Sequence, residues 1–336
     1  MTVPTTGPAG RAIFVPFRGM TTASSSSITH LPDAGLLADD PRAREVLEKA
    51  PVLHSAVDTG RGLHVTPTAF SWSGGALWVV TTRQSVKVRA LRRRPQVGLL
   101  LRTRRHSLVL TGEAELVDPL RLHGLARPER VLDMPFAAAH YLRRNYRHVA
   151  GVLRDATPGP ALVLDRLAIR VRPNRAVLLR GDSPAGVSEV LAAWGDWSDS
   201  DPAVAPAPPA PTTAPLDLSL LPVELRPLLR RPGPGCLAWP SAHGPLALPV
   251  HWRGNGAPSD ADAGLLSLVG GWGGGSAGLS LGTGGYRLVS KRGVLIRGAG
   301  TAWRQNSAGH RAMIDIAARR VTFWEGEQSS TVPVPG

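Results

Sequence analysis

The chain has 336 residues and carries 39 lysines and arginines against 25 aspartates and glutamates, a formal net charge of +14. That length suffices for two domains with cores of their own, and the charge suits anionic partners, although in a composition rich in alanine, glycine and proline it names none by itself. The lone Cys236 excludes an intrachain disulfide, no apolar run reaches the roughly 18 residues of a helical membrane span, and no secretory core opens the chain, so a cytoplasmic protein is expected.

Residues 1–35, rich in Pro, Gly, Ser and Thr, read as a disordered tail. Pro41 to Lys49 reads as a short helix with Pro41 in its first turn and Asp40 as cap. Two strands follow, Val52 to Val57 and Leu63 to Trp72, joined by the glycine-bearing turn Asp58 to Gly62. Pro67 cannot donate to a ladder, so the second of these strands lies at an edge or carries a bulge.

After the turn Ser73-Gly74-Gly75, the aromatic and β-branched run Leu77 to Thr81 reads as a strand. A short helix is expected from Ser85, stopped by Pro95. The junction between them holds Thr81, Thr82, Arg83, Ser85 and Lys87. Short hydroxyl donors, two cations and the free amides of a helix start suit an anion, best a phosphate. The plainer alternative is that Ser85 is only a cap, and Arg83 and Lys87 only solvated charges.

Val97 to Arg102 and Ser107 to Val117 read as a hairpin around Thr103-Arg104-Arg105. Pro119 to Asp155 has helical periodicity, with Ala138 to Leu153 as one amphipathic helix. Ala161 to Arg180 is strand-like with a turn at Pro173-Asn174, and Pro184 to Trp194 reads as a last helix. Residues 198–216 form a Pro/Ala-rich linker, so the expected domains are 36–197 and 217–336.

From Ala50 onward the chain resembles the split β-barrel flavoproteins of the pyridoxamine 5′-phosphate oxidase type. The resemblance covers roughly residues 46–118: a D-x-G-R-like turn, V-T-P at Val65 to Pro67, G-x-L-W-V, T-x-x-S-x-K-x-R-x-L-x-x-x-P, and a strand ending in G-E-A-E-L. It implies a mainly β protein and a flavin-dependent oxidoreductase acting on a small molecule. FMN phosphate would lie on Thr81, Thr82, Arg83, Ser85 and Lys87, with the ring against Val65, Thr66 and Pro67. Relatives of this type use FMN, the deazaflavin F420 or haem, so all three cofactors stay open, as does a non-catalytic binder.

The second half echoes the first. Cys236 to Val250 overlays His54 to Thr68 without a gap, setting Gly244 on Gly62 and Pro249 on Pro67, and Gly293 to Ala302 resembles Ser107 to Glu115. Two tandem split barrels are expected, paired within the chain as a pseudo-dimer, so that a monomer with one competent cleft results. The counterpart of Thr81 to Lys87 is sought at Gly270 to Ser276, where hydroxyls and cations are missing.

Gly273 to Gly278 fits both G-x-G-x-x-G and, in part, G-x-S-x-G, but the glycine-rich sequence behind it cannot form the helix either motif requires, so a flexible loop is expected. The ten histidines lack metal-site spacing, and nothing in the sequence points to a metal site built from distant residues; an axial haem ligand at His54 or His64 stays open. Arg92 to Arg94 with Arg102, Arg104 and Arg105 is the densest basic cluster. Without interleaved aromatics it reads as a solvated face and not as a specific nucleic-acid site.

Overall fold

The computed structural model describes residues 35–118, 128–155, 165–180, 189–197, 215–282, 292–304, 311–325 and 328–335. The expected N-terminal tail, and the linker up to residue 214, lie outside them. Two antiparallel sheets dominate. Among the described residues no helix is long and apolar enough to cross a membrane.

The first half opens with α1 (Gly35–Asp39) and α2 (Pro41–Lys49). Asp40 caps α2 as expected, accepting from the amides of Arg42 and Ala43, and turns Ala43, Val46 and Leu47 inward. The strands are β1 (Leu53–Asp58), β2 (Leu63–Thr68), β3 (Ser71–Ser73), β4 (Ala76–Thr82), β5 (Gln96–Arg102), β6 (His106–Val117), β7 (Arg166–Arg180) and β8 (Val190–Trp194). Helix α3 (Val86–Leu91) follows β4, and α4 (Pro128–Asp155) follows β6. The order is β2-β1-β5-β6-β7-β4-β3, with β8 on β7. Pro67 therefore sits in an edge strand.

Both faces of this sheet are buried, which is why its strands read as nearly unbroken apolar runs. Val57, Leu99, Leu101, Leu108, Leu110 and Leu178 point to the barrel interior. The alternate residues, Ala56, Leu63, Val65, Leu100, Val109, Val177 and Leu179, join a core shared with the second half.

Three expected elements differ here. Pro173-Asn174 does not turn the chain back: β7 runs through it and carries a bulge there, Asn174 being the extra residue between the pairs Thr111–Arg175 and Gly112–Pro173. Gly112 makes it possible, because a Cβ there would strike the Arg172 carbonyl. Val190 to Trp194 is not helical but pairs with Ala176 to Leu179, since the free edge of β7 offers ladder bonds that override the helical preference of Leu191, Ala192 and Ala193. The expected strand Leu63 to Trp72 breaks after Thr68, where Phe70 turns fully into the core. Helix α4 runs through Pro135 and leaves helical geometry at Asn145, whose amide donates to the Phe70 and Tyr141 carbonyls.

The second half enters at Leu216, which exchanges hydrogen bonds with Asn255 at 2.9 and 2.6 Å. After α5 (Arg226–Arg230) come β9 (Gly233–Ser241), β10 (Gly244–Trp252), β11 (Ser259–Asp262), α6 (Ala263–Leu268), β12 (Gly273–Gly282), β13 (Arg292–Arg304), β14 (Arg311–Glu325) and β15 (Gln328–Pro333). The order is β11-β10-β9-β12-β13-β14-β15, and β11 also pairs β14, closing the ring. Gly273 to Gly278 is thus strand, not flexible loop. Its glycines serve close approach: a Cβ on Gly278 would lie 2.9 Å from the Leu63 carbonyl oxygen, and one on Gly275 2.8 Å from the Pro240 ring.

The two halves share register. His54 faces Pro67 as Cys236 faces Pro249, and Gly62 and Gly244 both take positive φ, 113° and 100°. The β7 bulge at Asn174, opposite Gly112, has its counterpart in the β14 bulge at Arg319, opposite Gly298, each glycine lying against a carbonyl of the bulged strand. The sheets meet through matched contacts. Gly98 of β5 receives the Pro245–Leu246 backbone of β10, and Gly278 of β12 receives the Leu63 backbone of β2.

Candidate functional site

The ring that closes in the second half stays open in the first. There β10 reaches β11 through the pair His251–Asp260. In the first half β2 pairs only β1 among the described residues, and β4 pairs β7 and β3. The resulting seam runs between β2 and β4, the two strands that carry the expected ring-contact and phosphate residues.

At the phosphate junction Ser85 is the cap of α3, its Oγ accepting from the Val88 amide at 3.3 Å. Strand alternation puts Thr81 on the interior face with Leu77 and Val79, and Thr82 on the opposite face; neither hydroxyl makes a hydrogen bond among the described residues. Arg83 does not present its guanidinium to a ligand. It forms a two-pronged ion pair with Asp118, one contact being 2.7 Å, and its amide donates to Asp165 at 2.9 Å. Asp118 holds the Arg83 pKa above its ordinary value. Arg83 therefore ties the junction to the ends of β6 and β7. Nothing local in the sequence announces Asp118, which lies 35 residues away.

Lys87 behaves differently. Its side chain enters the barrel and lines a cavity of about 10 Å³ with Ser55, Val57, Val79, Leu91 and Ile169. It is half-buried and has no hydrogen bond or ion pair among the described residues. Burial pushes its pKa down to about 8. Close by, Ser55 Oγ, His64 Nδ1 and Thr66 Oγ1 are buried without partners. Ser55 pairs Thr66 and Val57 pairs His64 across β1 and β2, so all four side chains share one face. Buried polar atoms left unpaired are costly, and several together mark a place where a ligand or water supplies the missing bonds.

The ring-contact candidates divide between faces. Thr66 shares the face of Lys87's neighbours. Val65 points the other way, fully buried in the shared core, and Pro67 is half-buried opposite His54. His54 and His64 consequently face opposite sides of the sheet and do not converge on one ligand. Burial is the main cause pushing both imidazoles down to about 3, followed for His54 by the charges of Arg102 and Lys87 and for His64 by Lys87 and Arg297. Both are neutral near pH 7. No group of three or more metal-ligating side chains occurs among the described residues.

In the second half the matching junction is not Gly270 to Ser276. Arg166 and Arg311 lie equally far before the two bulges, so their partners Thr82 and Asp262 hold equivalent places. The counterpart is β11 with α6. There Asp262 is buried and caps the helix directly, its Oδ1 accepting from Leu265 at 2.6 Å, with no equivalent of Arg83 to Ser85. A buried carboxylate at this point opposes anion binding. Gly270 to Ser276 instead leads into β12, the strand that holds in the second sheet the place of β5 in the first.

A larger cleft, of about 560 Å³, lies between the halves and away from this junction; Asp58, Arg94, Glu113, Arg175 and His243 are among its lining residues. The sequence cluster of arginines is also divided in space, since Arg92 to Arg94 precede β5 and Arg104-Arg105 turn at its far end.

No family model matches the chain, and no curated protein matches it. Among solved structures it is similar to an F420 reductase, at 26% identity over 39% of this chain and 94% of that one, with a TM-score of 0.27. It is similar to a FAD-binding protein from Mesorhizobium loti, at 17% identity over 41% and 92%, TM-score 0.31. A protein from Listeria innocua named as a candidate pyridoxamine 5′-phosphate oxidase shares 16% identity over 44% and 94%, TM-score 0.28.

Proposed function

We propose that the chain binds one flavin-type cofactor, FMN, in the open seam of its first half and serves as a flavin-dependent oxidoreductase for a small molecule. The observation that carries this reading is Lys87, a half-buried cation without a counter-ion among the described residues, beside three buried polar atoms without partners among them. The residues fit in part. Lys87, Thr81 and Ser85 would take the phosphate, with Arg83 holding the junction through Asp118 and Thr82 facing the other side of β4. Thr66 and the β2 backbone through Val65 and Pro67 would face the ring. The bound cofactor would supply hydride or electron transfer, and the protein would orient it and exclude water. The two sheets would act as a pseudo-dimer within a monomer, domains 36–197 and 217–336 enclosing one site.

The test is the absorbance spectrum of the purified full chain, with cofactor quantified per chain. Flavin bands at one per chain, lost on Lys87→Ala, support the reading. A deazaflavin band moves it to F420 in the same seam. A Soret band, no cofactor, or two flavins per chain would refute it.

A further inference from the structure

Lys87 is not the only cation at the seam without a counter-ion. Arg297 on β13 is half-buried and forms no ion pair among the described residues. One of its terminal nitrogens donates to Thr322 Oγ1 at 3.2 Å, while its Nε–H is closed off from solvent and has no acceptor. A guanidinium is an obligate donor that never loses its charge. A structural arginine buried to this degree ordinarily finds a carboxylate or carbonyls, as Arg144 does at the Leu47, Glu48 and Ala50 carbonyls.

Its position is defined by the sheet. Arg297 stands directly across from Gly278, and opposed residues share a face. Gly278 is the residue against which the Leu63 backbone rests. Arg297 thus emerges from the second half where the edge strand β2 begins. His64, next along β2, feels the charges of both Lys87 and Arg297. Lys87 approaches from α3, beside Val57, the cross-strand neighbour of His64. The start of β2 is therefore flanked by two desolvated cations, one from each half.

We propose that Arg297 is a ligand-binding residue lent by the second half to the seam of the first, donating to an acceptor edge of the bound cofactor remote from its phosphate. This rests on the flavin-type reading of the seam. A flavin has such an edge in the carbonyls and ring nitrogen of its pyrimidine ring, and a planar fork of donors suits it. Lys87, a point charge, serves the phosphate.

The two cations separate by ligand. FMN and riboflavin, which lacks the phosphate, are titrated into the full-length wild type, Arg297→Ala and Lys87→Ala. Arg297→Ala is expected to weaken both ligands by the same factor, roughly ten- to hundredfold. Lys87→Ala is expected to weaken FMN and leave riboflavin unchanged. Should Arg297→Ala fail to fold by circular dichroism, Arg297→Lys, which keeps the stem and charge but loses the fork, is expected to show a smaller loss for both ligands. Unchanged affinity in the Arg297 variants, with Lys87→Ala still impaired for FMN, overturns the assignment and leaves the flavin reading standing. A loss confined to FMN also overturns it, placing Arg297 at the phosphate. If the wild type binds neither ligand, the flavin reading fails and this inference with it.

Discussion

Removing the seam's lysine should make the empty protein more stable. Burial holds Lys87 at about 8 against its ordinary 10.5. Between those values the unfolded chain keeps a proton that the folded chain has released, so stability rises with pH across that window and the penalty is complete below it. At about 1.4 kcal/mol for each tenfold change in the protonation constant, the full penalty is about 3 kcal/mol. Solvent still reaches part of the side chain, which reduces this to about 1–3 kcal/mol. Lys87→Met keeps the aliphatic volume that fills the small cavity and removes the charge. In urea unfolding of ligand-free protein at pH 7 the variant is expected to exceed the wild type by that amount, and the gap should narrow as pH rises from 8 to 10. A bound anion would reverse the sign by giving the ammonium its partner, so the stabilised variant should also be the one that binds cofactor poorly. A variant no more stable than wild type at pH 7, with no wild-type rise toward pH 10, would refute the reasoning.

Arg83→Ala should lower the melting temperature while changing FMN affinity far less than Lys87→Ala, because the guanidinium is engaged by Asp118; equal losses of affinity would show that Arg83 serves the ligand. Gly98→Val should cost about 3 kcal/mol, since the side chain would strike the Pro245–Leu246 backbone, which cannot yield as a flexible side chain can; calorimetry should show two separated transitions, and an unchanged single one would mean that the sheets are not coupled there. His64, held near 3 against an ordinary 6.5, takes its proton in the unfolded chain first, so stability should fall as pH drops below about 6.5; His64→Leu should flatten that slope in melts from pH 7 to 4.

Much of the hairpin geometry was legible in the sequence because turns and pairing leave local marks. The gapless overlay of Cys236 to Val250 on His54 to Thr68 works because two glycines and two prolines occupy backbone positions that other residues fill poorly. Asp40, Ser85 and the edge placement of Pro67 follow from equally local rules. What stayed hidden depends on distant neighbours. The ion pair of Arg83 with Asp118 turns an expected phosphate ligand into a strut, and only the folded chain brings the two together. Val190 to Trp194 became strand because β7 offered a free edge. Gly275 and Gly278, which read as looseness, are close-packing positions, which composition alone cannot distinguish from a loop. Arg297 carried no motif at all; its role is suggested only by what surrounds it.

The second half contributes differently from the first. Its ring is closed, and its junction carries a buried aspartate where the first half has Thr82 followed by Arg83, Ser85 and Lys87. What it does provide is cover. Ala56, Leu63, Val65, Leu100, Val109, Val177 and Leu179 form an apolar face on the first sheet that would otherwise meet water. The cover is reciprocal: Gly98 pairs Ala56 as Gly278 pairs Ala238, and each glycine accepts the backbone at an equivalent residue, Pro245 or Leu63, of the other half. Reciprocal contacts of this kind are what an isologous interface makes, where residue i meets j and j meets i. Such an interface can let one seam close without losing the face that shields the other. The half that has closed then contributes packing and, through Arg297, one cation at the edge of the seam that has not.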